Sequence, residues 1–161
     1  MIDIKADILS YTPLGNIEIG RFVDFYHYEM YENFDIEVKE YMIPFPSNEK
    51  MYGYSLNNDT LMFSATSGGE IVSVGYNENY KGKYNGKLYP GITMGELLDL
   101  TDSQKILNGT LIVDEDYGLS FTLPSPYDEI VDYIERIPLG LKLNEIYVSD
   151  NSFWAPKKLT R

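Results

Sequence analysis

Met51-Tyr52-Gly53-Tyr54-Ser55-Leu56, then Thr60-Leu61-Met62-Phe63-Ser64-Ala65-Thr66, then Glu70-Ile71-Val72-Ser73-Val74-Gly75-Tyr76 form three runs rich in aromatic and β-branched residues. Asn57-Asn58-Asp59 and Ser67-Gly68-Gly69 separate them, residue types that tolerate the positive φ of tight hairpin turns. The stretch predicts a three-strand antiparallel meander.

Upstream, Phe34-Asp35-Ile36-Glu37-Val38-Lys39 alternates strictly, as a half-buried strand does. Pro44-Phe45-Pro46-Ser47 then interrupts regular structure, because proline removes ladder donors. Earlier still, Phe22, Val23, Tyr26 and Met30 fall along one side of a helix running to about Tyr31, with Glu29 breaking the stripe.

Downstream, Thr93-Met94-Gly95-Glu96 fits a capping box that opens a short helix through Leu100. Thr110-Leu111-Ile112-Val113 and Leu119-Ser120-Phe121-Thr122-Leu123 read as strands around the turn Asp114-Glu115-Asp116-Tyr117-Gly118, whose glycine suits a left-handed conformation. Ser125-Pro126 predicts a helix through about Arg136, with Tyr127, Ile130, Val131 and Ile134 toward the core and Asp128, Asp132 and Glu135 toward solvent. Leu141 to Val148 closes the set as a strand, and the residues from Trp154 to Arg161 read as a tail.

A pattern recurs across the two halves. Ile17-Glu18-Ile19-Gly20-Arg21-Phe22-Val23-Asp24-Phe25 and Ile92-Thr93-Met94-Gly95-Glu96-Leu97-Leu98-Asp99-Leu100 share apolar, polar, apolar, Gly, charged, apolar pair, Asp, apolar. Repetition suggests a duplicated unit. The expected fold is α+β: antiparallel sheet with a few short helices, one compact domain over 1–161. It divides into two helix-then-meander units, about 14–78 and 89–150, joined by the Tyr/Gly/Lys-rich loop 79–88.

Composition narrows the function. Hydrophobic residues at 43% and charged residues at 24% are those of an ordered chain. The absence of cysteine excludes thiolate zinc sites, redox pairs and disulfides together. The N-terminus alternates charge and apolarity, unlike a signal peptide, and no run approaches the ~18–20 apolar residues of a membrane span, so a cytoplasmic protein is expected. The sequons at Asn58 and Asn108 would matter only in a secreted eukaryotic protein. A formal net charge of −12 disfavours nucleic acid and anionic membranes and favours a basic partner.

Catalytic machinery is not evident. The one histidine, His27, reads as structural or surface. Asp114, Glu115 and Asp116 crowd one turn, but their spacing lacks the glycine and glutamate of an EF-hand, and no phosphate-binding glycine motif occurs. No metal, no cofactor and no enzymatic activity is expected. The tyrosines remain: Tyr76, Tyr80, Tyr84 and Tyr89 gather mid-chain beside Asn77, Asn79 and Asn85, a composition found in binding surfaces, although tyrosine also suits strands. Tyr80, Tyr84, Asp114, Glu115, Asp116 and Tyr117 are the candidate partner-binding residues.

The repeated I-x-[IM]-G followed by a helix and a meander resembles the tandem helix-then-four-strand units of β-lactamase-inhibitor-protein-like folds. That resemblance implies a sheet surface that binds another protein; the helix expected at Ser125–Arg136 departs from it. In small size, acidity and aromatic loops the chain also resembles the immunity proteins of bacterial polymorphic or contact-dependent toxin systems, which implies inhibition of a cognate basic toxin by direct binding. Two alternatives stand beside it: a carboxylate-based or divalent-metal-dependent enzyme or ligand-binding domain, and a subunit of a larger bacterial or phage assembly.

Overall fold

The computed structural model describes residues 2–10, 17–44, 46, 48–131 and 133–149. Its first half runs from a 3₁₀ turn, Val23–Phe25, into α1 (His27–Asn33), β1 (Ile36–Met42), β2 (Lys50–Leu56), β3 (Leu61–Thr66) and β4 (Ile71–Tyr76). The second half comprises β5 (Ile92–Thr93), α2 (Met94–Leu100), β6 (Gln104–Leu107), β7 (Thr110–Val113), β8 (Leu119–Thr122) and α3 (Tyr127–Ile130). A 3₁₀ turn at Ile134–Arg136, β9 (Lys142–Leu143) and β10 (Ile146–Val148) complete it. Among the described residues no helix is long and apolar enough to cross a membrane.

The fold is α+β. Eight strands form one antiparallel sheet in the order β1-β2-β3-β4-β10-β8-β7-β6, and β5 pairs with β9 in a separate two-stranded sheet. The two halves meet last strand to last strand: Ile146, Tyr147 and Val148 of β10 oppose Tyr76, Gly75 and Val74 of β4. On its other side β10 opposes Phe121, Ser120 and Leu119 of β8.

One face of this sheet is the core. Leu56, Leu61, Phe63, Ile71, Val74, Leu111, Phe121 and Ile146 belong to a single buried cluster. Val23 from the first 3₁₀ turn, Met30 from α1 and Met94 and Leu97 from α2 join it, so the helices cover this face. Each fully buried Leu, Ile or Phe contributes about 1.5–3 kcal/mol relative to exposure. The two hairpin turns of the meander have the backbone their residues favour, with Asn57, Asn58 and Asp59 at φ 51°, 54° and 67° and Gly69 at 93°.

Several expectations are corrected. The helix from Phe22 is split into a 3₁₀ turn and α1, and Tyr26 lies at the junction. The alternating strand at Phe34–Lys39 starts at Ile36 and is not half-buried: every residue of β1 after Ile36 is exposed, because it is the edge strand. The proposed helix Ser125–Arg136 shrinks to α3 and a 3₁₀ turn; Val131 is extended and buried, Ile130 is 64% exposed, and Asp132 lies outside the described residues. The strand Leu141–Val148 is broken into β9 and β10, which serve different sheets. Phe45, Ser47 and the tail from Trp154 lie outside the described residues.

The two copies of the repeat are not locally equivalent. Gly20 is left-handed at φ 95° and donates to the Ile71 carbonyl at 2.8 Å, whereas Gly95 lies inside α2, where a β-carbon would come within 3.2 Å of the Leu139 carbonyl oxygen. The buried member of the apolar pair also differs, Val23 in the first copy and Leu97 in the second, while Phe22 is 56% exposed. The capping box is half-formed: Thr93 Oγ1 accepts from the Glu96 N–H at 3.2 Å, but the Glu96 carboxylate accepts from the Tyr89 hydroxyl.

Candidate functional site

Residues opposite one another across an antiparallel pair share a face. In β3, Leu61, Phe63 and Ala65 are buried, so Met62, Ser64 and Thr66 point to the other side, which among the described residues carries no α-helix. Their partners on that open face are Ser55 and Gly53 of β2 and Gly75 and Ser73 of β4. Glu37 and Lys39 of β1 lie opposite Ser55 and Gly53, Tyr41 follows two residues on, and Tyr147 of β10 lies opposite Gly75. The middle of the open face is therefore floored by glycine and serine and flanked by two tyrosines.

The tyrosines lean inward over the glycines. A β-carbon at Gly75 would sit 2.5 Å from Tyr147 Cε1, and one at Gly53 would sit 3.7 Å from Tyr41 Cε1. The Tyr41 hydroxyl donates to Ser64 Oγ at 3.1 Å, and the Tyr147 hydroxyl lies 3.8 Å from Met62 Sδ and 3.5 Å from Glu145 Oε2. Between the rings is a groove of about 240 Å³ whose lining includes Glu37, Lys39, Asp59 and Met62. A second hollow of about 270 Å³ adjoins it through Asp59 and adds Asn77, Glu78, Asn144 and Glu145.

The electrostatics are acidic. Burial pushes the Tyr147 hydroxyl up to about 12, and the Glu145 and Asp59 carboxylates push in the same direction. Burial also raises Glu145 above the usual carboxylate range, the Asp59 charge adds to this, and the hydrogen bond from Tyr147 partly offsets it. Among the described residues no group of three His, Asp or Glu is arranged to hold a metal ion. The arrangement offers rigid aromatic contact area, hydroxyl tips and negative potential.

The residues singled out from sequence lie elsewhere, and most are engaged within the fold. Tyr80 is 3% exposed, and its hydroxyl donates to the Asp3 and Ala6 carbonyls at 3.2 and 2.8 Å, so this side chain is core and presents no surface. The segment 79–88 is accordingly not a free loop: Lys81 N–H donates to the Ile4 carbonyl and Ile8 N–H to the Lys83 carbonyl, which ties the segment to residues 2–10. Tyr84 is half-buried and donates to Asp116 Oδ2; burial and that carboxylate hold its hydroxyl well above the ordinary tyrosine range. Asp116 Oδ1 accepts from Ser10 Oγ at 2.5 Å and from the Gly118 N–H at 3.0 Å.

Asp114 Oδ1 accepts from the N–H groups of Asp102 and Ser103 at 2.7 and 3.0 Å, closing the start of β6. The left-handed residues of this turn are Asp114 and Glu115, at φ 49° and 57°, and not Gly118. Glu115 is exposed. Tyr117 is half-buried and its hydroxyl accepts from Lys105 Nζ at 3.1 Å, a lysine whose register partner is the buried Ile112. The structure brings Tyr84 and Asp116 together but does not gather the six into one surface. His27 is exposed and packs against the Tyr31 ring, 4.8 Å between centroids.

No protein-family model, no curated protein and no solved structure matches the chain. The open-face residues were marked in the sequence all the same. Gly53-x-Ser55, Ser64 and Ser73-x-Gly75 place small side chains at alternate positions of the three strands, with Met62 the one large apolar residue among them, a face too poor in apolar atoms to be core.

Proposed function

We propose that this chain is an immunity-type inhibitor, an acidic protein-binding module that neutralises a basic toxin domain by covering it with the open face of its sheet. The carrying observation is the pair of tyrosine rings, Tyr41 and Tyr147, lying over Gly53 and Gly75 beside a groove bordered by Glu37 and Asp59. Tyrosines already held against the sheet lose little freedom on binding, and carboxylates around them favour a Lys- or Arg-rich surface. The net charge of −12 acts at longer range, raising the rate of encounter with a basic partner. Compared with the acidic turn at 114–116, whose Asp114 and Asp116 carboxylates already accept internal donors, the groove is the better anchor.

The test is co-expression with the product of the gene adjacent to this one. The reading predicts a stoichiometric complex, protection of the host from that product, and loss of both in a Tyr41→Ala/Tyr147→Ala variant that retains its fold. A neighbouring product that neither binds nor harms the host would remove the basis for this reading.

A further inference from the structure

β1 closes one end of the eight-stranded sheet, so among the described residues one of its edges has no partner strand. Two hydrogen bonds fix which residues face outward. Asn57 N–H donates to the Asp35 carbonyl and Ile43 N–H to the Glu49 carbonyl, both at 2.8 Å. Because hydrogen-bonded pairs alternate along an antiparallel ladder, Glu37, Lys39 and Tyr41 turn their main-chain groups toward β2, and Ile36, Val38, Glu40 and Met42 turn theirs to the free edge. This edge is long and carries exposed apolar side chains: Val38 is 45% exposed and Met42 58%. Natural edges of this kind are covered or blunted.

We propose that the β1 edge pairs with the β1 edge of a second copy of the chain, antiparallel and centred on Val38. The charge pattern selects that register. Centring on Val38 sets Glu37 opposite the partner's Lys39 and Lys39 opposite the partner's Glu37, two opposite-charge pairs on the open face. It also sets Val38 on Val38 and Met42 on Phe34, covering the exposed apolar atoms on the other face. Centring on Lys39 places lysine on lysine, and centring on Glu37 or Glu40 places glutamate on glutamate. Among the described residues neither Glu37 nor Lys39 has an ion-pair partner within the chain. The outward groups of Ile36, Val38 and Glu40 then complete a ladder with Glu40, Val38 and Ile36 of the partner. The two sheets become one, with both open faces on the same side and Glu37 and Lys39 of each groove at the seam. This pairing goes beyond the partner-binding reading and does not depend on it.

The test is the mass of the full chain alone, by light scattering and sedimentation, up to about 100 μM and at about 0.15 M salt, where exposed charges are screened beyond about 8 Å. The wild type is expected to dimerise. Glu37→Lys and Lys39→Glu each turn two attractions into two repulsions and weaken the dimer about tenfold or more. The double swap restores it, and an equimolar mixture of the two single variants forms a heterodimer. Val38→Pro, which removes an outward N–H that the monomer does not use, gives a monomer with an unchanged circular dichroism spectrum. A wild type that stays monomeric, a dimer indifferent to Val38→Pro, or charge variants that neither recover nor cross-pair would overturn the proposal.

Discussion

The ring of Tyr147 lies across Gly75, its register partner on the neighbouring strand, so closely that a β-carbon at Gly75 would sit 2.5 Å from Cε1 and 2.8 Å from Cδ1. This contact is at the seam between the two halves of the sheet, where β4 meets β10. It joins the halves and shapes the groove at once.

Gly75→Ala is therefore expected to push the ring aside and destabilise the fold by about 1–3 kcal/mol. For a chain of this size that lowers Tm by roughly 3–10 °C. Gly53→Ala is the control, since its β-carbon would make ordinary contact at 3.7 Å. Thermal melts of the two variants should differ clearly; equal melts would mean that the Tyr147–Gly75 contact is not held.

Gly82 has less freedom still. A β-carbon there would fall 1.9 Å from the Ala6 carbonyl oxygen, a backbone atom that cannot rotate away. Gly82→Ala should release residues 2–10 from the 80–84 segment and cost about 3 kcal/mol or more. Amide exchange checks this directly: the N–H groups of Ile8 and Lys81, bonded across the two segments at 3.0 Å, should lose protection first.

Asp116 and Glu115 are adjacent and acidic, yet they should behave differently. Asp116→Ala removes the acceptor for Ser10, Tyr84 and Gly118 and is expected to cost about 2–3 kcal/mol, because hydrogen bonds to a charged group are the stronger kind. Glu115→Ala, at an exposed position, should change stability by less than about 0.5 kcal/mol. Urea unfolding of the pair distinguishes a structural turn from an acidic surface.

Glu145 sets a pH dependence. Its folded-state pKa is raised above the ordinary 4.5 by burial and by Asp59, so the unfolded chain gives up this proton first. The contribution of Glu145 therefore makes stability fall as pH rises through the interval between the two values, and the penalty persists at neutral pH. Glu145→Gln, which keeps an acceptor for Tyr147, should be more stable than wild type at pH 7 and indistinguishable from it below about pH 4. A variant less stable than wild type at pH 7 would contradict this.

The meander was legible because each of its cues was local. Turn residues with positive φ lay between runs of strand-forming residues, and Met51–Leu56, Thr60–Thr66 and Glu70–Tyr76 match β2, β3 and β4 within a residue. β6 was missed, although Asn108-Gly109 before Thr110 is a hairpin signal and takes φ 50° and 77° in the structure. Pairing of β4 with β10 was not legible, since it joins residues far apart in sequence and β10 is only three residues long.

The surroundings of the candidate residues were hidden for a related reason. Tyr80 and Tyr84 lie in a Gly- and Asn-rich segment that looks exposed in sequence, but residues 2–10 pack against it, a contact no local pattern reveals. In the sequence Tyr147 is one aromatic in a short apolar run, with no local mark of its surroundings. Only the register shows that it faces Gly75 on the side opposite the core helices.

The most direct test of the open face as the binding surface is an affinity measurement between this chain and the product of its neighbouring gene, made by calorimetry on three folded proteins. These are the wild type, the open-face variant Tyr41→Ala/Tyr147→Ala and the helix-side variant Phe25→Ala/Tyr28→Ala. The account predicts a loss of about 100-fold or more for the open-face variant, as expected when two central tyrosine anchors are truncated. The helix-side variant should bind as the wild type does. Binding that survives loss of Tyr41 and Tyr147 but fails with loss of Phe25 and Tyr28 would contradict it.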